Sequence, residues 1–146
     1  MKLQKGFTLV ELMIAVVIVS ILAAIALPAY SNYVTRGKIP EATSNLSGTR
    51  VQLEQYYQDN RSYGSTAGNC GVAMPAAPKV TNFTFSCNWG AGGTNQTYLI
   101  TATGIGSMAG FTYTIDNGNN KQTTAAPAGW GPTSTTCWIT KQGGAC

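Results

Sequence analysis

Residues 5–30 read KGFTLVELMIAVVIVSILAAIALPAY, from Lys5 to Tyr30, and no charged residue occurs between Glu11 and Arg36. Residues 7–29 are apolar except for Thr8, Glu11 and Ser20. As a helix this stretch spans the roughly 30 Å hydrocarbon core of a bilayer. It follows a short cationic start carrying Lys2 and Lys5, so the chain begins at a membrane. One reading of such a start is a secretory signal peptide, cut at the small residues Ala24-Ile25-Ala26. Glu11 weighs against it, because an acid near the centre of a membrane helix costs roughly 2.5 to 3.5 kcal/mol on insertion scales. Glu11 therefore needs a partner, expected from another chain or from a newly made amino terminus.

The run Lys5-Gly6-Phe7-Thr8-Leu9-Val10-Glu11 resembles the cleavage and methylation signal of type IV prepilins and related pseudopilins. The resemblance extends to Pro28, Tyr30 and Tyr33 and, more weakly, to the C-terminal cysteines. It implies that a prepilin peptidase cuts after Gly6 and methylates the new amine of Phe7, and that Glu11 pairs with the terminal amine of a neighbouring subunit. The segment Tyr56-Tyr57-Gln58-Asp59-Asn60-Arg61-Ser62-Tyr63 is similar to the helix end of a minor-pilin subgroup that includes the PilE-type proteins.

What the resemblance implies for organisation is an α+β pilin fold, with a long N-terminal helix, transmembrane and then amphipathic, packed on an antiparallel four-stranded sheet. Residues 1–6 would be a leader peptide, 7–29 the transmembrane and filament-core half of the helix, and 30–146 a periplasmic or extracellular domain holding the rest of the helix. The implied function is that of a structural subunit held in the bacterial inner membrane and assembled into an extracellular pilus. Such a fibre serves adhesion, twitching motility or DNA uptake. The partners would be other pilin subunits, the peptidase, the assembly platform in the inner membrane, and DNA or a host or abiotic surface. Two alternatives stand beside this: a DNA-binding minor pilin of a competence pilus, and a type II secretion pseudopilin.

The physical pattern suits that role. Ala15, Ser20, Ala23, Ala24 and Ala26 are small enough for helices to approach closely, and lipid can be exchanged for neighbouring helices at little change in apolar burial. Pro28 removes a backbone hydrogen bond and is expected to kink or locally melt the helix, or else to end it at the membrane surface. Beyond it, Ile39, Ala42, Leu46, Thr49, Leu53 and Tyr57 recur at spacings of three and four and lay one apolar stripe along a polar helix. Gly37 and Pro40 interrupt it, which predicts a second bend at Pro40 or two separate helices. If continuous, residues 7–60 form a helix of roughly 80 Å. One small domain cannot cover that length, so its N-terminal half requires lipid or other subunits.

From Arg61 the chain turns rich in Gly, Thr, Asn and Ser. Candidate strands are residues 80–87, 97–103, 110–116 and 120–124, with Phe83, Phe85, Tyr98, Ile100, Phe111, Tyr113 and Ile115 facing inward. Asp116-Asn117-Gly118 reads as the turn joining the last two. Residues 61–79 and 125–146 read as looser surface loops flanking the sheet. Cys70, Cys87, Cys137 and Cys146 allow three full pairings. Cys70 with Cys87 and Cys137 with Cys146 is the expected one, the second closing a C-terminal loop that resembles the D-region of pilins. Zinc is disfavoured because the cysteines stand 17, 50 and 9 residues apart with no C-x-x-C pair.

Composition narrows the chemistry. The 146 residues include no histidine and only 10% charged residues, which removes histidine bases and imidazole ligands. Apart from Glu11 the acids are Glu41, Glu54, Asp59 and Asp116, scattered in sequence, so no catalytic constellation or metal site is built and no cofactor is expected. Gly90-Ala91-Gly92-Gly93 lacks the Lys-Ser/Thr of a phosphate loop and reads as a hairpin connection. Residues 141–146 lack the acids of a pseudopilin calcium site. Candidate DNA contacts are Lys79, Lys121 and Lys141, interleaved with Trp89, Trp130 and Trp138. The bland alternative is a solvated charged face with the tryptophans packing the loops. Loss of residues 1–6 would lower the cations from nine to seven against five acids, too small an excess to name a partner by charge.

Overall fold

A computed structural model describes residues 6–90 and 92–146 of the chain. Most of the leader, residues 1–5, and Ala91 in the glycine stretch lie outside the described residues. One helix, α1 (Leu9–Asn60), is followed by four strands, β1 (Phe83–Asn88), β2 (Leu99–Gly104), β3 (Thr112–Asp116) and β4 (Lys121–Ala125), with a short 3-10 turn at Gly106–Met108 between β2 and β3. The strands form one sheet in the order β1-β2-β3-β4, each antiparallel to the next. The chain divides between Val34 and Thr35 into two units.

The first unit is the N-terminal part of α1, and every large apolar side chain in it from Phe7 to Leu27 is more than half exposed. Within the second unit, the stripe expected on the helix is the buried face: Ile39, Ala42, Leu46, Thr49 and Leu53 are buried, and Tyr57 is partly buried against them. The helix is continuous through Pro28, Gly37 and Pro40, so the two-helix alternative does not hold. Proline removes one donor but leaves the remaining bonds of its turn, and the buried stripe on the following turns holds the register. α1 ends where Arg61 turns into the left-handed region at φ 53°, its N–H closing back on the Tyr57 carbonyl at 2.8 Å.

The four strands fall within two or three residues of the expected ones. Phe83, Tyr98, Ile100, Phe111, Tyr113 and Ile115 are buried as expected; Phe85 is only half-buried at the edge of the core. Gly104 is required, because a side chain there would run into the Met108 backbone. Asp116 forms the β3–β4 turn, accepting the Asn120 N–H at 2.9 Å and the Asn120 side-chain amide at 2.8 Å. Gly90 and Gly93, both with positive φ, lie in the β1–β2 connection, where the glycine stretch was expected.

The flanking segments are more than surface loops, which corrects the sequence expectation. Residues 61–79 send Tyr63 and Cys70 into the core, and residues 125–146 contribute Trp130, Trp138 and Ile139, the last fully buried. Tyr63 stacks on Tyr57 at 4.6 Å and meets the edge of Tyr98 at 4.6 Å. Trp130 packs edge-on against Phe111 at 4.9 Å. A sheet of four short strands cannot bury enough apolar surface by itself, so the large rings arriving from both flanks complete the core.

Candidate functional site

Gly6 and Phe7 precede α1, and Phe7 is 87% exposed. A Cβ built on Gly6 meets nothing within 4 Å, so nothing among the described residues requires glycine there. Thr8 caps the helix: its N–H and hydroxyl donate to Glu11 Oε2 at 2.9 and 2.7 Å, and its Oγ1 accepts the Glu11 N–H at 3.2 Å. This reciprocal pattern is a capping box. Glu11 thus has a local partner besides the intermolecular one expected from the sequence. The apolar stretch of α1 is long enough to cross a membrane, and none of it is buried. Pro28, at the C-terminal end of the apolar stretch, is exposed as well.

In the second unit two glutamates tie α1 to the rest of the domain. Glu41 Oε1 accepts the backbone N–H groups of Thr81 at 2.9 Å, Asn82 at 2.8 Å and Phe83 at 3.2 Å, and Oε2 accepts the Asn82 amide at 2.6 Å. Burial pushes the carboxyl up, but the Asn82 side chain and the three N–H groups together outweigh it and hold the group below its ordinary value. Glu54 accepts two phenols, from Tyr98 at 2.9 Å and Tyr63 at 3.1 Å. Burial first, then the hydrogen bond and charge of Glu54, push Tyr63 up to about 12 and Tyr98 higher still. Lys38 adds a third tie, donating to Ser107 Oγ at 2.6 Å. None of these roles was assigned from sequence. The one local sign is that Glu41 and Glu54 directly flank buried positions, Ala42 and Leu53.

Both expected disulfides are present, Cys70–Cys87 with Cα atoms 5.8 Å apart and Cys137–Cys146 at 6.0 Å. The first ties the loop after the helix to β1. The second closes a tail whose backbone carries Trp138 and Ile139 inward. Around it, Ile139 N–H donates to Thr123 Oγ1 at 2.9 Å, the Tyr113 hydroxyl donates to the Ile139 carbonyl at 2.8 Å, and the Trp138 indole donates to the Thr114 carbonyl at 2.8 Å.

The three candidate lysines do not converge. Lys79 lines a cavity of about 470 Å³ between α1 and residues 73–79. Lys121 lines a second, of about 420 Å³, with Trp138 and the Cys137–Cys146 pair, its ammonium 4.9 Å from the Trp138 ring centre. Lys141 is exposed and lines neither. Trp130 and Trp138 are buried and unavailable for base stacking; Trp89 is half-buried. Among the described residues no cluster of three metal-ligating side chains occurs.

A membrane-length exposed half-helix headed by Gly6-Phe7 and Glu11, joined to a helix-on-meander domain stapled at two places, defines the class of type IV pilins. Comparison with known proteins bears on it directly. Residues 1–27 match the prokaryotic N-terminal methylation motif, and residues 28–114 match the model of the "Type IV minor pilin ComP, DNA uptake sequence receptor". The chain belongs to the type IV pilins, within the family of that minor pilin. It is similar to the fimbrial protein EcpC of Eikenella corrodens, 42% identical over 102 residues, covering 70% of this chain and 63% of that one. It is likewise similar to the type IV major pilin protein PilE1 of Neisseria gonorrhoeae, 45% identical over 73 residues, covering 50% of this chain and 44% of that one. The major fimbrial protein FimA of Dichelobacter nodosus is 48% identical over 65 residues, covering 44% of this chain and 41% of that one. The chain thus spans less than two thirds of the length of these relatives. A solved type IV pilin from Shewanella oneidensis aligns at a TM-score of 0.47 with 19% identity, over 71% of this chain and 97% of that one.

Proposed function

We propose that the chain is a structural subunit of a type IV pilus. A prepilin peptidase removes residues 1–6 and methylates Phe7. Residues 7–29 hold the precursor in the inner membrane, and residues 30–146 lie outside the cytoplasm, where the two disulfides form. The assembly platform then transfers the helix from lipid to a bundle of the same helices in the extracellular fibre. The observation that carries this reading is the row of apolar side chains from Phe7, 87% exposed, to Leu27, 68% exposed, which water does not tolerate and which lipid or other subunits must cover. An unconstrained Gly6 fits recognition by an external peptidase better than any need of the fold. In the membrane the capping box with Thr8 keeps Glu11 satisfied; in the fibre its carboxylate takes the amine of the neighbouring Phe7, with Pro28 easing the transfer by weakening the helix. Glu11→Ala tests this: processing and membrane insertion stay normal while the subunit is lost from sheared surface fibres. Normal incorporation of the variant overturns the role.

The match to a DNA uptake receptor family favours a second reading, that the subunit also contacts DNA in a competence pilus. Lys79 and Lys141 are its exposed cations among the three candidates. With so few phosphate contacts the binding should be weak and fall steeply with salt. Fibres that retain duplex DNA equally in low and high salt, or retain none, rule out this mode.

A further inference from the structure

We propose that the cavity between α1 and residues 73–79 is a binding site for a carboxylated sugar, a pyranose ring bearing one acidic group. At about 470 Å³ it has the volume of a small-ligand site. Its two walls differ in chemistry. The helix side presents Ser44, Asn45 and Gln52; the loop side presents the apolar surfaces of Met74 and Pro75 and, at its end, Lys79. Ser44 and Asn45 spend their donors on the helix itself, on the carbonyls of Pro40 and Glu41. That leaves their oxygens as acceptors for ligand hydroxyls, while Gln52 and Lys79 supply donors. Among the described residues no acid lines the cavity, so the Lys79 ammonium is the charge that a ligand meets.

The balance of groups selects the ligand. One ammonium with no second cation suits a monoanion, and the cavity is walled by the middle of a helix whose backbone N–H groups are already bonded. Both points disfavour a phosphate, which draws on several cations or on a helix start. Hydroxyl-accepting oxygens opposite an apolar wall suit a ring with a polar rim and a C–H face. A carboxylate on such a ring reaches Lys79 as a charge-assisted hydrogen bond. Sialic acids of a host surface and uronic acids of other polysaccharides share this chemistry. None of its lining lies in residues 7–34, so the site does not draw on the exposed half-helix.

The experiment is ligand-observed NMR on the full chain in detergent micelles, with N-acetylneuraminate and glucuronate as probes and glucose as the neutral control. Saturable binding of either acid, with glucose silent, is expected, and the tighter of the two identifies the source. Lys79→Ala should weaken it by roughly tenfold or more, the worth of one charge-assisted hydrogen bond, and Gln52→Ala by less. Lys141→Ala, which removes an exposed charge elsewhere, should leave it unchanged. Lys79 is exposed, so its variant keeps the fold, which far-ultraviolet circular dichroism verifies. Absence of binding by both acids overturns the proposal, as does equal weakening by Lys79→Ala and Lys141→Ala.

Discussion

Replacing Glu41 by alanine is expected to lower the unfolding midpoint of the Thr35–Cys146 unit by roughly 10–15 °C. The carboxylate receives four hydrogen bonds, three from consecutive backbone groups at the start of β1 and one from the Asn82 amide. Bonds to a charged group contribute about 1.5–3 kcal/mol each when isolated, but three here share one oxygen and the group is partly open to water. A net loss of about 3 kcal/mol follows, much of it from stranding the N–H of Phe83, whose residue is buried. Glu41→Gln keeps the Oε1 acceptor but turns a donor toward the Asn82 amide, so about half the effect is expected. The pH dependence has a definite sign. The folded carboxyl titrates below its ordinary value of 4.5, so between the two values the unfolded chain binds more protons. Its contribution is complete above pH 4.5 and is lost as pH falls through the folded value. The assay is thermal unfolding of the full chain in detergent, followed by near-ultraviolet circular dichroism of the tyrosine and tryptophan cluster. A Glu41→Ala midpoint equal to wild type, or a wild-type to Glu41→Gln difference that does not narrow in acid, would show that the carboxylate does not hold the start of β1 to the helix.

Cys137→Ser should destabilise the same unit by about 3 kcal/mol, from the loop closure lost, and open Cys146 to alkylation; both thiols reacting in the unreduced wild type would show that the bond does not form. Glu54→Gln should bring Tyr63 down from about 12 in an ultraviolet absorbance titration read against Tyr63→Phe. The stability from this raised phenol is present below pH 10 and is lost as pH rises through about 12, so the variant should lose less stability in base; an unchanged titration would remove Glu54 as a cause. Gly6→Leu should leave a chain that keeps its leader and stays in the membrane, as blotting of membrane and sheared fractions will show, and normal fibres of that variant would contradict the cleavage assignment.

The parts of the fold legible in the sequence are those with a period. The stripe from Ile39 to Leu53 recurs every three or four residues, and one face of a helix is all it can be. The strands carry alternating rings and turn residues, which place them within a few residues. Trp138 and Ile139 stand alone among Thr, Lys and Gly, so no period marks them as core; the Cys137–Cys146 closure and hydrogen bonds to Thr123, Tyr113 and Thr114, all distant in sequence, bring them in. The ties of Glu41 to Asn82 and of Glu54 to Tyr98 join residues some forty positions apart, and spacing along a helix says nothing about such acceptors. At the N-terminus the spacing of Gly6, Phe7 and Glu11 was readable. The Thr8-x-x-Glu11 capping box is legible there too, although a lone charge in an apolar run points first to a partner in another chain.

We propose that the chain is cut after Gly6 and carried into a fibre by its N-terminal helix. Intact-mass and N-terminal analysis of protein from sheared surface material, beside the same analysis of inner membrane, tests it most directly. The expected protein begins at N-methylated Phe7, holds two disulfides and is recovered in the sheared fraction. A chain beginning at Leu27, free of the membrane helix and found in solution, would contradict it.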